Sequence, residues 1–275
     1  MDAVMVFLQS TFSPLVLVFT VSNLAAMGLQ VSVPDVRLAL RNKVALLLIF
    51  VWGWVLGPAF GYLITRVIPL KEPYAIVVLL ASLAPCAPFL QQMVGKASGD
   101  IGFAGALIPL VAVGTVVLMP IMAPLLIAGL TIDALALAKP LVLTILLPLL
   151  LGASLRHFAH SRATSLFPVV KGLAKLSTLL TILWCLAIYG RGMLNTAGQY
   201  ALLAMTLFMV GMAAITYLIG FGMKQNQRSV MALGMGTRNV AAVLAAALAI
   251  PDADPGIVVM TVMWTLWSVA VSYTH

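Results

Sequence analysis

Nine stretches of apolar residues, separated by short polar intervals, run the length of the chain: residues 5–27, 44–67, 74–95, 101–129, 138–156, 173–190, 200–222, 230–250 and 256–273. Each comes close to or exceeds the ~20 residues that carry an α-helix across about 30 Å of hydrocarbon. None shows the roughly ten-residue alternation of apolar and polar positions that marks a transmembrane β-strand. The pattern predicts an all-α polytopic membrane protein with about nine transmembrane helices. No hydrophilic domain or low-complexity linker interrupts it, so residues 1–275 read as a single membrane domain.

Two segments depart from a regular helical pattern. The third contains "LAPCAPFLQQMVG", with Pro85 and Pro88 three residues apart and Gln91 and Gln92 close behind. Proline removes a backbone donor and clashes with the preceding turn, so this pair is expected to unwind or kink the helix. The eighth contains Gly234, Gly236, Thr237, Arg238 and Asn239 in an otherwise apolar run. Unwound backbone at membrane depth is tolerated only against protein or a water-filled cavity. The two breaks are five segments apart, which gives them opposite orientations in the bilayer. Broken helices in oppositely oriented halves point to an inverted-repeat transporter. The halves expected are residues 5–129, with four helices, and 138–273, with five.

Composition agrees: 63% of residues are hydrophobic and 8% charged, against about 25% charged in soluble domains. The net charge of +8 reads as a topology signal rather than affinity for nucleic acid. With the N-terminus outside, Arg37, Arg41, Lys43, Lys96, Arg156, Arg162, Lys171, Lys175, Lys224 and Arg228 all fall in inside loops. Only Arg66, Lys71, Lys139 and Arg191 fall outside, which predicts N-out and C-in. The location expected is a bacterial-type inner (plasma) membrane, with lipid as the surrounding partner. Asp2 stands where a signal peptide would carry basic residues, so no cleavable signal is expected. Cys86 and Cys185 read as buried thiols. His157 and His160 lack a third ligand and read as loop residues, so neither a metal nor another cofactor is expected. No phosphate-cradling loop and no nucleophile–base pair is present, and the chain is not read as an enzyme.

Several stretches carry a family resemblance. "AAMGLQVSVPDVRLALRNK", residues 25–43, resembles the Met-Gly-Leu segment and amphipathic connector of the bile acid:sodium symporter family. "LAPCAPFLQQMVGKASGD" resembles that family's first crossing helix, and "GMGTRNVAAVLAAAL" its second. Trp264 falls where the last helix of the family often has a tryptophan. The resemblance covers roughly residues 15–275. It implies a panel domain and a core domain, two broken helices crossing in the core, and transport of organic anions, usually with two sodium ions. Placed on the family's ten helices, this chain lacks the first.

The resemblance also exposes departures. The family's sodium-binding glutamate would fall on Gly234 and its glutamine on Arg238, and only Asn239 matches. The family's Ser-Asn pair would fall on Leu90 and Gln91. Hydroxyl ligands of the next helix would fall near Ile108, Val111 and Ala112, all apolar. A hard cation needs oxygen ligands, so the family's sodium positions read as lost and the role of sodium stays open.

Arg238 is the residue that needs explaining, because a charge at the bilayer centre costs at least about 2.5–3.5 kcal/mol. All seven acidic residues lie at or beyond segment ends. Three readings are open. Arg238 binds an anionic substrate through its planar fork, or it replaces a sodium ion by donating to the carbonyls of the two unwound segments, or it snorkels to an interface. The substrate site expected comprises Arg238, Asn239, Thr237, Gln91, Gln92, Thr265 and Ser268, with Pro85, Pro88, Gly234 and Gly236 shaping the breaks. The function expected is secondary transport of organic anions (bile-acid-like, or small carboxylates and sulfates) by alternating access, with altered or absent sodium coupling. Three rivals remain: a sodium symporter with a non-standard site, a proton-linked auxin-carrier-like exporter, and a non-transporting membrane scaffold.

Overall fold

The computed structural model describes residues 3–87, 90–127, 133–197 and 200–273. Among these the chain is helical and has no strand, only one isolated bridge between Pro85 and Arg238. The helices are α1 (Ala3–Gly28), α2 (Val33–Arg41), α3 (Lys43–Val67), α4 (Glu72–Ser82), α5 (Leu90–Lys96) and α6 (Ile101–Leu126). They are followed by α7 (Ala134–Phe158), α8 (His160–Ala197), α9 (Ala201–Leu218), α10 (Gln225–Gly236), α11 (Val240–Leu248) and α12 (Pro255–Tyr273).

Six of the described helices, α1, α3, α6, α7, α8 and α9, are long and apolar enough to cross a membrane. The third and eighth apolar segments are each divided into two short helices, α4 with α5 and α10 with α11. Large apolar side chains such as Phe7, Leu17, Ile121, Leu125, Leu151, Leu176 and Val210 point outward and are exposed. On a soluble protein so much outward apolar surface would be a liability; here it is the face presented to lipid. The protein is an integral membrane protein.

One boundary differs clearly from expectation. The sixth segment was expected over residues 173–190, yet α8 spans 38 residues, about 57 Å at 1.5 Å per residue. Its first turns hold Arg162 and Ser165 on exposed faces and carry Pro168 without ending. Apolarity marks where a helix meets lipid, whereas backbone hydrogen bonding alone decides where it ends.

Helix register shifts at two places. In α3 the turn Val51–Leu56 is π-helical, and the N–H of Gly57 bonds five residues back to Trp52 O. In α7 the turn Val142–Leu146 does the same, with Leu147 N–H on Val142 O. A proline stands two residues after each π turn, Pro58 or Pro148. A proline has no N–H to give the carbonyl four residues earlier, and a widened turn takes up the mismatch.

Two groups of helices are held by different contacts. In the first, α1 packs on α7 and α8. Polar bonds link α1 to α8: Ser22 Oγ to Ser177 Oγ at 3.1 Å, Asn23 Nδ2 to Thr178 Oγ1 at 3.2 Å and Trp184 Nε1 to Thr11 Oγ1 at 2.9 Å. Backbone approaches backbone where α1 meets α7: a Cβ on Gly28 would lie 2.3 Å from Leu149 O, and one on Gly152 would lie 2.7 Å from Ala25 O. In the second group, α3 contacts α4 and α9, α9 packs along α10, and α12 packs on α4 and α11. Small residues make this possible where lipid offers no hydrophobic drive for helix association.

These contacts predict opposite fates for two glycines. Gly152→Val should destabilise the protein by about 1–3 kcal/mol through overpacking against α1. Gly172→Ala, in exposed helix with nothing within 4 Å of the added carbon, should leave it unchanged or more stable. Melting temperatures of the two purified variants in one detergent check both; equal losses would contradict the packing described.

Candidate functional site

The two breaks in the helical pattern meet in space. Helix α4 stops at Ser82, three residues before Pro85, and Cys86 then adopts φ +74°, a left-handed conformation that turns the chain sharply. Helix α10 stops at Gly236, Thr237 is extended, and Asn239 restarts the chain as the N-cap of α11, its Oδ1 accepting from Ala242 N at 3.2 Å. Proline on one side and glycine with an Asn cap on the other are the residues that end and begin helices.

The unwound segments pair antiparallel at Pro85 and Arg238. Cys86 N–H donates to Gly234 O at 2.9 Å and Thr237 O at 3.0 Å, and Asn239 N–H donates to Ala84 O at 2.8 Å. The Thr237 hydroxyl accepts from Ala87 N at 3.2 Å and donates to Leu233 O at 2.7 Å. Each break thus supplies the hydrogen-bond partners the other has lost, which is what unwound backbone at this depth requires. From α3, Trp54 Nε1 adds a bond to Leu83 O at 3.3 Å.

Arg238 lies at the centre and is 1% exposed. It is the one charged side chain among the described buried residues. Its Nη1 donates to Ala81 O at 3.3 Å and reaches Ser82 O at 3.4 Å, both at the C-terminal end of α4. Its Nη2 donates to Met235 O, at the C-terminal end of α10. The guanidinium carbon stands 4.6 Å from the centre of the Phe208 ring, and Phe208 in turn packs edge-on against Trp264 with centroids 5.8 Å apart. A cation over an aromatic face is stabilised further where water is excluded.

The remaining expected residues fall in different places. Thr237 and Asn239 belong to the crossing itself. The side chains of Gln91 and Gln92, on α5, and the whole of Pro88 lie outside the described residues. Gly234 faces Leu107, Leu90 and Cys86, so no side-chain oxygen stands there. Gly236 brings α10 against α9, its missing Cβ only 3.0 Å from Met209 O. Thr265 and Ser268, one turn apart on α12, do not share a surface. Ser268 is buried with Oγ 3.5 Å from Met209 Sδ, whereas Thr265 lines a small cleft.

That cleft runs between the two helix groups. Phe19 of α1 and Thr178, Thr181 and Ile182 of α8 form one wall; Val240 and Leu244 of α11 with Val262 and Thr265 of α12 form the other. The Thr181 hydroxyl is buried and has no hydrogen-bond partner within the protein. Val240, which lines the cleft, is the first residue of α11, and the helix start is closed by Asn239, whose Oδ1 and backbone O accept from Ala242 N and Val243 N. Sequence reasoning missed Thr178 and Thr181, although their spacing of three in an apolar run places both hydroxyls on one face. It also missed Phe208, which nothing in its local sequence sets apart.

The chain has relatives among known proteins. The profile of the Sodium Bile acid symporter family matches residues 14–199. The chain is 27% identical over 201 residues to a protein of Oryza sativa subsp. japonica named "Probable sodium/metabolite cotransporter BASS3, chloroplastic". It is 26% identical over 231 residues to a protein of the same name in Arabidopsis thaliana. These matches cover 70% and 82% of this chain but 46% and 53% of the relatives, so the chain spans about half their length.

The crossing predicts a graded response to substitution. Thr237→Val leaves the Ala87 N–H buried without its acceptor and should cost about 1–3 kcal/mol. Asn239→Ala removes the α11 cap at about 1 kcal/mol, and Thr237→Ser, which keeps the hydroxyl, should lie close to the parent protein. Thermal unfolding in detergent ranks the three, and a Thr237→Val variant as stable as Thr237→Ser would rule out the hydroxyl's role.

Proposed function

The chain belongs to the Sodium Bile acid symporter family, and from that premise we propose that it is a secondary transporter of organic anions working by alternating access. The family is one of transporters, not enzymes. In this reading α1, α7 and α8 form a panel, and α3–α6 with α9–α12 form a core. The chain makes nine crossings as an inverted repeat, residues 5–129 against 138–273, N-terminus outside, in a bacterial-type inner membrane. The observation that carries the proposal is the pairing of the two broken helices immediately behind a cleft bounded by both groups. Broken helices that meet at mid-depth are where inverted-repeat transporters bind their solutes.

The substrate class follows from what lines the cleft. Apolar walls of Phe19, Ile182, Leu244 and Val262 suit a hydrocarbon body. The unpartnered hydroxyl of Thr181 can donate to a carboxylate or sulfate head, and the hydroxyls of Thr178 and Thr265, which donate to Ala174 O and Thr261 O, join it by turning away from those carbonyls. The cleft as it stands holds about 10 Å³, room for roughly one water molecule, so a bile-acid-like solute or a small carboxylate or sulfate enters it only when the two helix groups part during the cycle. The two plant relatives are named as sodium/metabolite cotransporters, and a sodium-driven version of the same cycle is the second reading.

A melting-temperature panel of bile acids, steroid sulfates and short carboxylates on the purified protein tests the proposal, followed by uptake of any stabilising solute into proteoliposomes. At least one anion should raise the melting temperature and be taken up. Thr181→Val should leave the solute-free melting temperature unchanged or higher, because the hydroxyl it removes has no partner. The same change should weaken solute binding several-fold. A panel in which no anion binds and none is carried would sink the proposal and favour the scaffold reading.

A further inference from the structure

We propose that Arg238 is a built-in cation: its guanidinium fills the carbonyl site formed where α4 and α10 end, so the crossing assembles and works without a bound metal ion. The proposal concerns the crossing itself and stands whichever solute the cleft accepts.

The site has the character of a cation site before any ligand is considered. Ala81 O and Ser82 O end one helix and Met235 O ends another. Each helix C-terminus carries roughly −0.5 of an elementary charge. Two of them converging amount to about −1, which one guanidinium neutralises. The ring face of Phe208, 4.6 Å away, adds negative potential on the same cation. None of the described acidic side chains is buried, and those of Glu72, Asp100, Asp133 and Asp254 belong to residues at helix starts. The carbonyls and the ring are therefore what balances the charge.

A sodium ion does not fit the residues present. The position where the family resemblance implies a carboxylate is Gly234, and its surroundings are Leu107, Leu90 and Cys86. The nearby positions of α6, Ile108, Val111 and Ala112, are buried and apolar. The carbonyls that could ligate an ion already accept from Arg238. A second unit charge about 4 Å from the guanidinium, at an effective dielectric constant of about 20, would bind roughly a thousandfold more weakly.

A tethered cation also changes the energetics of transport. It is covalently part of the core and is released on neither side, so no ion is carried through this site and a sodium gradient can do no work through it. The solute would then move down its own electrochemical gradient or by exchange for another anion.

The test needs no substrate, so its failure is separable from failure of the transport proposal. Melting temperatures of the purified protein in NaCl, KCl and choline chloride at equal concentration should coincide; a rise specific to sodium would overturn the proposal. Arg238→Ala should melt lower and recover in millimolar guanidinium chloride but not in the same concentration of urea, which has a similar shape without the charge. Arg238→Lys, which keeps the charge with fewer donors, should fall between the two. Equal effects of guanidinium and urea on Arg238→Ala, or a lysine variant no better than alanine, would also overturn it.

Discussion

Two helices that end facing each other inside an apolar slab leave carbonyls aimed at a common point with no water to solvate them. That constraint governs the centre of this protein. Part of the answer is mutual, since the unwound backbone of residues 84–87 and the second break, from the last turn of α10 at Gly234 to Asn239, donate to and accept from each other. What mutual pairing cannot supply is positive charge, because both ends present the negative pole. Arg238 supplies it from within the second break, and Phe208 and Trp264 close the column beneath it.

The elements around the crossing follow from this need. Gly53, Gly57 and Gly61 give α3 a face without side chains, and the end of α4 sits on it: a Cβ on Gly61 would be 2.8 Å from Ser82 Cβ, and one on Gly57 would be 3.3 Å from Ser82 O. The π turn before Pro58 sets Trp54 so that its indole reaches Leu83 O. Gly236 performs the same service between α10 and α9. The crossing is held by close backbone approach and directed hydrogen bonds rather than by bulky packing. The α1–α8 contact is built instead on hydroxyl and amide pairs, which are individually modest in a membrane, on the order of 0.6 kcal/mol.

Family membership and the central arginine pull in different directions. The family profile covers residues 14–199 and stops short of α10. The break that carries Arg238 therefore lies beyond the matched region. A family architecture can be kept while the charge at its crossing is supplied differently, because the geometry depends on where helices end and only the charge balance depends on which cation stands there.

By itself the sequence determined the class of the protein and the location of its irregularities. Long apolar segments, a scarcity of charge, prolines at 85 and 88 and the run Gly234–Asn239 are local facts. Among the described residues local backbone physics turns them into helices, ends and caps, while the unwound backbone at each break takes its hydrogen-bond partners from the other. The full length of α8 was not legible, because its first turns are polar and apolarity was the only guide to its start. The role of Arg238 was only partly legible: three readings were open, and the hydrogen bonds to Ala81, Ser82 and Met235 depend on residues up to 157 positions away. Thr265 and Ser268 were both expected at the substrate site with no local check, and packing sets Thr265 on the cleft and Ser268 against Met209 of α9. Phe208, Thr178 and Thr181 acquire their meaning only when other helices arrive beside them. The tertiary structure decided which groups face one another, because in a membrane the hydrogen bond or charge that a residue lacks can be met only by another part of the chain.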